Sequence, residues 1–170
     1  MGTPEQNQQF LSVIEQHKGI IYKIANSFKK DEDDKKDLMQ EIILQLWRSF
    51  ASYDEKSKFS TWMYRVALNV AIASYRQEKR KKELITPMSD SIITFAGDND
   101  GDDKQYELSL LQQFINELRE LDRALILLYL EEKTGKEMAE ILGLSETNIR
   151  TKINRIKEQL KQRFSKINTL

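Results

Sequence analysis

The sequence predicts an all-α protein of two small helical domains joined by a flexible acidic linker, and three observations carry that expectation. The 170 residues include only 6 Gly and 2 Pro, too little turn punctuation for an all-β or doubly wound chain. Apolar residues recur at helical spacing in both halves, with a polar stretch between them. Charge follows the same division: residues 1–83 hold 15 basic and 12 acidic side chains, 84–118 hold 1 and 7, and 119–170 hold 11 and 8. The formal net charge of zero thus conceals two mildly basic ends and an acidic middle. These patterns divide the chain into a first domain over 1–83, a linker over 84–106 and a second domain over 107–170.

Three helices are expected in the first domain. The first runs over 5–28 on a stripe of Phe10, Val13, Ile14, Ile20, Ile21, Ile24 and Phe28. His17, the only histidine, lies on that stripe, which marks it as a packed or boundary residue rather than a catalytic base. Polar residues 29–36 break the helix. A second follows with Leu38, Met39, Ile42, Ile43, Leu46, Trp47 and Phe50 at helical spacing, and residues 57–60 form a turn. The third runs over 61–82, with Met63, Val66, Ala67, Val70 and Ala71 making one apolar face.

The opposite face of that third helix carries a chemical signal. Arg65, Asn69, Arg76 and Arg80 stand at i, i+4, i+11 and i+15, within an arc of roughly 60°, with Trp62 at its edge. Lys79, Lys81 and Lys82 extend the charge, and Tyr75 lies beside it. Cations suit phosphates and aromatic rings suit unstacked bases, so the stripe is an electrostatic footprint for nucleic acid. A solvated helix face is the plainer alternative.

Between the domains, residues 86–103 contain Pro87 and the run Gly97-Asp98-Asn99-Asp100-Gly101-Asp102-Asp103, a composition that cannot bury a core. A calcium loop does not fit there. Counting from Asp98, the sixth position is Asp103 where glycine is needed, and the twelfth is Ser109 where a bidentate Glu is needed.

In the second domain Leu118, Leu121, Leu125, Leu128 and Tyr129 make an amphipathic helix. Thr134-Gly135-Lys136-Glu137 has the form of a capping box, opening a short helix that ends at Gly143, and Ser145 can cap the next. Two helices on a tight glycine turn are a helix-turn-helix candidate. On the last helix Ile149, Ile153, Ile156 and Leu160 share one arc. Opposite them lie Thr147, Arg150, Thr151, Asn154 and Arg155, side chains that suit base edges and phosphates in a major groove.

Several classes drop out on composition. The absence of cysteine removes disulfides and thiolate metal sites, and suits a reducing cytoplasm. No apolar run reaches the ~18 residues that a membrane span needs, so no direct membrane insertion is expected. No Gly-rich phosphate loop or clustered catalytic carboxylates appear: Asp31, Asp33, Asp34 and Asp37 sit at a helix start, where dipole effects explain them. No catalytic residue, metal or cofactor is expected.

The motifs together resemble a known family. Asp37-Leu38-Met39-Gln40-Glu41, Leu46-Trp47-Arg48-Ser49-Phe50, Tyr53-Asp54 and the run from Phe59-Ser60-Thr61-Trp62 through Arg65 to Asn69 resemble region two of bacterial RNA polymerase sigma factors. Leu121-Asp122-Arg123-Ala124-Leu125, the run Lys136-Glu137-Met138-Ala139-Glu140-Ile141-Leu142-Gly143 and Ile149-Arg150-Thr151-Lys152 resemble region four. The short separation is similar to that of the extracytoplasmic-function group.

That resemblance implies two partners, core RNA polymerase and promoter DNA, and a third, an anti-sigma factor. Asp37, Gln40, Glu41 and Trp47 would hold the polymerase. Trp62, Arg65 and Asn69 would lie near the melted minus-ten strand, with Arg76, Lys79 and Arg80 along its backbone. Thr147, Arg150, Thr151, Asn154 and Arg155 would contact the minus-thirty-five element. The linker would thread the polymerase cleft, and near-neutral charge would leave the free chain a weak DNA binder. Three positions depart from the pattern: Ala73 where an acid is frequent, Arg119 where a proline often opens region four, and Asn154 where a larger residue is common on the face toward DNA. A stand-alone helix-turn-helix transcriptional regulator is the alternative. It would explain the second domain and would need a ligand pocket or dimer face in the first.

Overall fold

Helices account for every regular element in the computed structural model, which describes residues 3–85 and 103–168. Helix α1 spans Pro4–Phe28, α2 Glu32–Phe50 and α3 Phe59–Ile85. After the undescribed stretch come α4 over Asp103–Glu117, α5 over Glu120–Leu130, α6 over Gly135–Leu142 and α7 over Glu146–Asn168. All the expected helices are present, and α4 is added in front of the second set.

Helix ends differ from the expected bounds for local reasons. At the start of α1 a capping box is built by Thr3, whose Oγ1 accepts from the Gln6 amide at 3.2 Å while Gln6 Oε1 accepts from the Thr3 amide at 3.0 Å, with Pro4 in the first turn. Helix α2 begins inside the polar segment, because Glu32, Asp33 and Asp34 face solvent in its first turn, where the helix dipole favours negative charge. Helices α3 and α4 both run into the expected linker, as far as Ile85 and from Asp103. The rest of that segment, with most of the acidic run, lies outside the described residues.

The first three helices pack around Ile24, Ile42, Leu46, Met63, Ala67 and Ala71, all fully buried. Each large aliphatic side chain contributes roughly 1.5–3 kcal/mol through removal from water. His17 is half-buried on α1, as its place on the stripe implies. Its Nδ1 lies 3.0 Å from the Val13 carbonyl, its ring is 5.1 Å from that of Phe59, and its backbone leaves helical geometry, kinking α1.

The second set closes around Leu125, Leu128, Ile141, Ile149 and Ile156. Its turns follow the sequence reading closely. Thr134 Oγ1 accepts from the Glu137 amide at 3.1 Å and the Glu137 side chain returns to the Thr134 amide, completing the capping box. Gly143 adopts φ +69°, a left-handed conformation that costs glycine least. Ser145 Oγ accepts from the Asn148 amide at 3.1 Å and caps α7. Arg119 precedes α5 with no side-chain cap, and Tyr129, expected on the apolar stripe, is exposed at the helix end under the Lys157 ammonium.

The two sets also pack on each other. Residues Arg123, Ala124, Leu125, Ile126, Leu127 and Leu128 are buried in succession, so α5 is covered around its whole circumference, by α7 on one side and by α1 and α3 on the other. The basic member of that run is Arg123. Its guanidinium donates to the main-chain carbonyls of Ser27 at 3.2 Å, Asn116 at 2.6 Å and Leu118 at 3.1 Å, and it lies against the rings of Phe28 and Tyr75. One side chain of the second set thereby satisfies the C-terminal end of α1.

Candidate nucleic-acid and polymerase interfaces

Helix α2 turns a divided face to solvent. Asp37, Gln40 and Glu41 are exposed, whereas Trp47 is half-buried with its ring 5.0 Å from Phe10. Beside Gln40 lies an open, mainly apolar groove of about 480 Å³, shaped by Phe10, Leu11, Ile43, Leu44 and Trp47. Leu11 is 66% exposed there and Leu44 41%, side chains that only a partner would cover. On the other flank Asp34, Asp37, Glu41 and Glu78 line a cleft around Lys29, whose buried ammonium pairs with Glu78. Acid on one side and hydrocarbon on the other suit a protein surface that is both basic and apolar. Sequence periodicity missed Leu11 and Leu44 as surface residues; both lie off the buried stripe.

On α3 the expected stripe is only partly open. Asn69, Arg76, Lys79 and Arg80 are exposed and Arg65 is half-buried. Trp62 departs from expectation: it is 8% exposed, its ring packed with Tyr53 at 5.1 Å, Phe59 at 5.4 Å and Phe50 at 6.4 Å. A large ring at the edge of an amphipathic face is pulled inward wherever an aromatic cluster can accept it, since burial of that area outweighs one edge of exposure. Trp62 therefore shapes the N-terminal end of α3 from beneath and is not part of its exposed surface.

Two of the stripe's cations already have partners across the chain. Arg65 donates through Nε and Nη2 to the Glu140 carbonyl on α6, at 3.3 and 2.9 Å. Arg76 Nε lies 2.9 Å from Glu120 Oε1 on α5. Burial alone would raise the Glu120 carboxyl. The hydrogen bond from Arg76, a backbone hydrogen bond and the charges of Arg76 and Lys79 outweigh it and hold the group below its ordinary range. Nearby, Lys23 pairs with Glu131 at 2.8 Å, and Lys133 stands over the ring of Tyr64. Burial, helped by the charge of Glu131, pushes the Tyr64 phenol up to about 12. The Glu120, Glu140 and Arg123 contacts were not legible in the sequence beforehand. The one available signal was Arg123, an arginine within a continuous apolar run.

On α7 the residues expected to meet DNA, Thr147, Arg150, Thr151, Asn154 and Arg155, are all exposed, opposite the buried Ile149, Ile153 and Ile156. Thr151 Oγ1 donates back to the Thr147 carbonyl at 3.0 Å, and Arg155 is joined to Asp122 of α5. Helices α6 and α7 thus form a helix-turn-helix with a polar, cation-bearing outer face. Among the described residues no group of three or more His, Cys, Asp or Glu is placed to hold a metal, and no helix is long and apolar enough to cross a membrane.

Comparison with known proteins accounts for both sets of helices. Residues 13–81 match the sigma-70 region 2 family and residues 108–160 match sigma-70 region 4. The extracytoplasmic-function RNA polymerase sigma factor SigM of Bacillus subtilis is 28% identical over 158 residues, which cover 91% of this chain and 94% of that protein. This chain belongs to the extracytoplasmic-function sigma factors. Another member, SigW of the same organism, is 26% identical over 165 residues, covering 91% of this chain and 88% of the relative. Two solved structures share the sigma factor's fold. One is CnrH in complex with the cytosolic domain of CnrY, with a TM-score of 0.67, 20% identity and 94% and 89% of the two chains covered. The other is RpoE with the anti-sigma factor NepR from Bartonella quintana, at TM-score 0.67 and 19% identity, covering 94% and 96%. A region 2 match over α1–α3 leaves the stand-alone regulator disfavoured, since that reading gave the first domain no role in initiation. The sigma factor binds core RNA polymerase and directs promoter recognition and transcription initiation.

Proposed function

We propose that this sigma factor divides its work among three surfaces. The exposed face of α2, with Asp37, Gln40 and Glu41 beside the Leu11 and Leu44 groove, holds core polymerase, and Trp47 backs that groove from within. Arg65, Asn69, Arg76, Lys79 and Arg80 of α3 engage the opened minus-ten strand, with Trp62 setting the shape of the helix end that receives it. Thr147, Arg150, Thr151, Asn154 and Arg155 of α7 contact the duplex minus-thirty-five element. Residues 1–83 and 107–170 are the two working domains, with 84–106 as the tether. The protein performs no chemistry of its own, acts in the cytoplasm and is held in reserve by an anti-sigma factor, the kind of partner that the RpoE structure contains.

The observation that carries this reading is that the exposed polar residues on α2 and α7 fall within the segments matched to regions 2 and 4 while the buried residues account for the fold. The α2 assignment is tested with Gln40→Ala combined with Glu41→Ala. This variant should keep its helical content and lose most of its retention on purified core polymerase, and undiminished retention refutes the assignment. For α7, Arg150→Ala with Arg155→Ala should lower promoter-specific transcription while core binding is preserved.

A further inference from the structure

Tyr129 stands exposed at the end of α5, and the Lys157 ammonium of α7 lies 4.4 Å from the centre of its ring. An ammonium has three N–H groups and one ring faces only some of them, so the cation keeps donors for a second partner. Both side chains line an open hollow of about 500 Å³ between the end of α5, the start of α6 and the first half of α7. Four cations border it, Lys133, Lys136, Arg150 and Lys157, against one acid, Glu146. Lys133 is engaged elsewhere, its ammonium 3.8 Å from Glu137 Oε2 and 5.2 Å from the centre of the Tyr64 ring. Lys136 and Arg150 are exposed, with no side-chain hydrogen bond or ion pair to another described residue.

The hollow lies along one edge of α7. At about 100° per residue Lys157 falls roughly 20° from Arg150 around the helix, Arg155 falls roughly 140° away, and Thr147, Thr151 and Asn154 come between them. The outer face thus has short polar side chains along its middle and a cationic edge on either side. A helix about 10–12 Å across nearly fills a major groove about 12 Å wide, so its edges meet the two phosphate backbones and its middle meets the bases. The edge with Arg150 and Lys157 borders the hollow, and Lys136 adds a third available cation from α6. Two ammonium groups and a guanidinium around one concave site suit a phosphate, which accepts from several charged donors at once.

We propose that this hollow seats one backbone phosphate of the minus-thirty-five duplex, held by Lys136 of α6 and Lys157 of α7, with Arg150 between that phosphate and the bases. Tyr129 acts through Lys157 and is a positioning residue. Its ring orders the long lysine chain before DNA arrives, so less freedom is lost on binding. Lys136, Lys157 and Tyr129 all lie outside the set of DNA-contacting residues expected from the sequence. The proposal rests on the reading of α7 as the helix that meets the minus-thirty-five element.

The test uses holoenzyme assembled from purified core polymerase and the full chain. Promoter DNA of fixed minus-ten sequence and randomised minus-thirty-five region supplies the tightest sequence, whose phosphates are then replaced one at a time by neutral methylphosphonate. Lys136→Gln and Lys157→Gln should each bind all sequences more weakly by a common factor. The Lys136→Gln/Lys157→Gln double variant should lose about 0.9 from the log–log salt slope, so its deficit against wild type shrinks about threefold over a fourfold rise in salt. At one methylphosphonate position wild type should weaken and the double variant should not. Tyr129→Phe should match wild type. Tyr129→Leu should bind roughly two- to tenfold more weakly with its salt slope kept, because the charge remains and only its ordering is lost, and should add nothing to Lys157→Gln. Wild-type affinity in the double lysine variant overturns the proposal, as does a changed base preference, sensitivity to every methylphosphonate that wild type senses, or lost retention on core polymerase, which would make the hollow a protein contact. Arg155→Ala separates the two readings: if it weakens binding while the lysine variants do not, only the hollow is overturned, and if it too is unaltered, the reading of α7 falls with it. A deficit in Tyr129→Phe, or an effect of Tyr129→Leu that persists beside Lys157→Gln, overturns the role of Tyr129.

Discussion

Arg76 of α3 and Glu120 of α5 form an ion pair at 2.9 Å, so a cation suited to phosphate is neutralised inside the chain by the other helical set. With Arg65 bound to the Glu140 carbonyl, the packing of α5 and α6 on α3 competes with any strand that would lie along the same stripe. Removing the acid should release the cation. Glu120→Ala is expected to raise the affinity of the free protein for single-stranded DNA several-fold at low salt and to steepen its log–log salt dependence by about 0.7, one additional phosphate contact. Fluorescence anisotropy against sodium chloride reads both, and an unchanged slope would show that Arg76 was never sequestered.

The same pair sets an acid sensitivity. Because the Glu120 carboxyl is held below its ordinary value of 4.5 in the folded chain, its contribution is complete above that value and disappears as pH falls through the lowered one. Glu137, which burial alone would raise and which its hydrogen bonds with Thr134 and the charges of Lys133 and Lys58 together lower, follows the same sign. Melting temperatures measured from pH 7 to pH 3 should fall less steeply for Glu120→Gln than for wild type, with the two curves converging at the acid end.

Arg123 is replaceable in volume but not in hydrogen bonding. Arg123→Met should destabilise the protein by about 2 kcal/mol or more, since the carbonyls of Ser27, Asn116 and Leu118 lose a charged donor in a dry site. Urea titration followed by circular dichroism measures it. A stability equal to wild type would mean that water replaces the guanidinium without cost.

Trp62 distinguishes a packing role from direct contact. Trp62→Ala should cost ~3–5 kcal/mol through the cavity left among Phe50, Tyr53 and Phe59. Trp62→Phe should retain most of that stability and, if the ring acts from beneath, most of the promoter-opening rate in a stopped-flow assay. Loss of opening in Trp62→Phe at near-wild-type stability would place the indole on the DNA instead.

The helix-turn-helix offers a local test. Thr134→Ala removes the capping box of α6 and should cost ~1 kcal/mol, and Gly143→Ala forces a Cβ into φ +69° at a similar cost of ~1 kcal/mol. No heavy atom would meet the new Cβ of Gly143→Ala within 4 Å, so its whole effect should be backbone strain, visible as a lower urea midpoint with an unaltered slope.

What the sequence disclosed was local. Apolar spacing identified the buried faces of α1, α2, α3 and α7 because each face meets one core, whereas on α5 it found one stripe of a helix that is covered on both sides, and the caps at Thr134 and Ser145 were legible because their chemistry is satisfied within three residues. The cap at Thr3 escaped notice because it precedes the apolar stripe by several residues. Trp62 was misplaced because spacing assigns a direction to a side chain and not the neighbours that wait there. Asp122 and Glu120 looked like ordinary acids in the first turn of a helix; their partners lie 33 and 44 residues away in sequence, beyond the reach of any periodicity. The residues expected to read duplex DNA on α7 are exposed as foreseen, but the pairing of Arg155 depends on how α5 lies against α7.

Between Arg123 and Leu128 helix α5 has no wet side, and this bears on any attempt to recombine such proteins. A hybrid that joins the first three helices of one relative to the last four of another inherits two surfaces shaped for different neighbours. The mismatch would fall on the guanidinium of Arg123 and the apolar run after it, on the helix whose Glu120 and Asp122 pair with Arg76 and Arg155. Exchange of promoter preference between relatives is therefore better attempted by grafting the outer residues of α7 alone, which leaves the buried seam with its native partner.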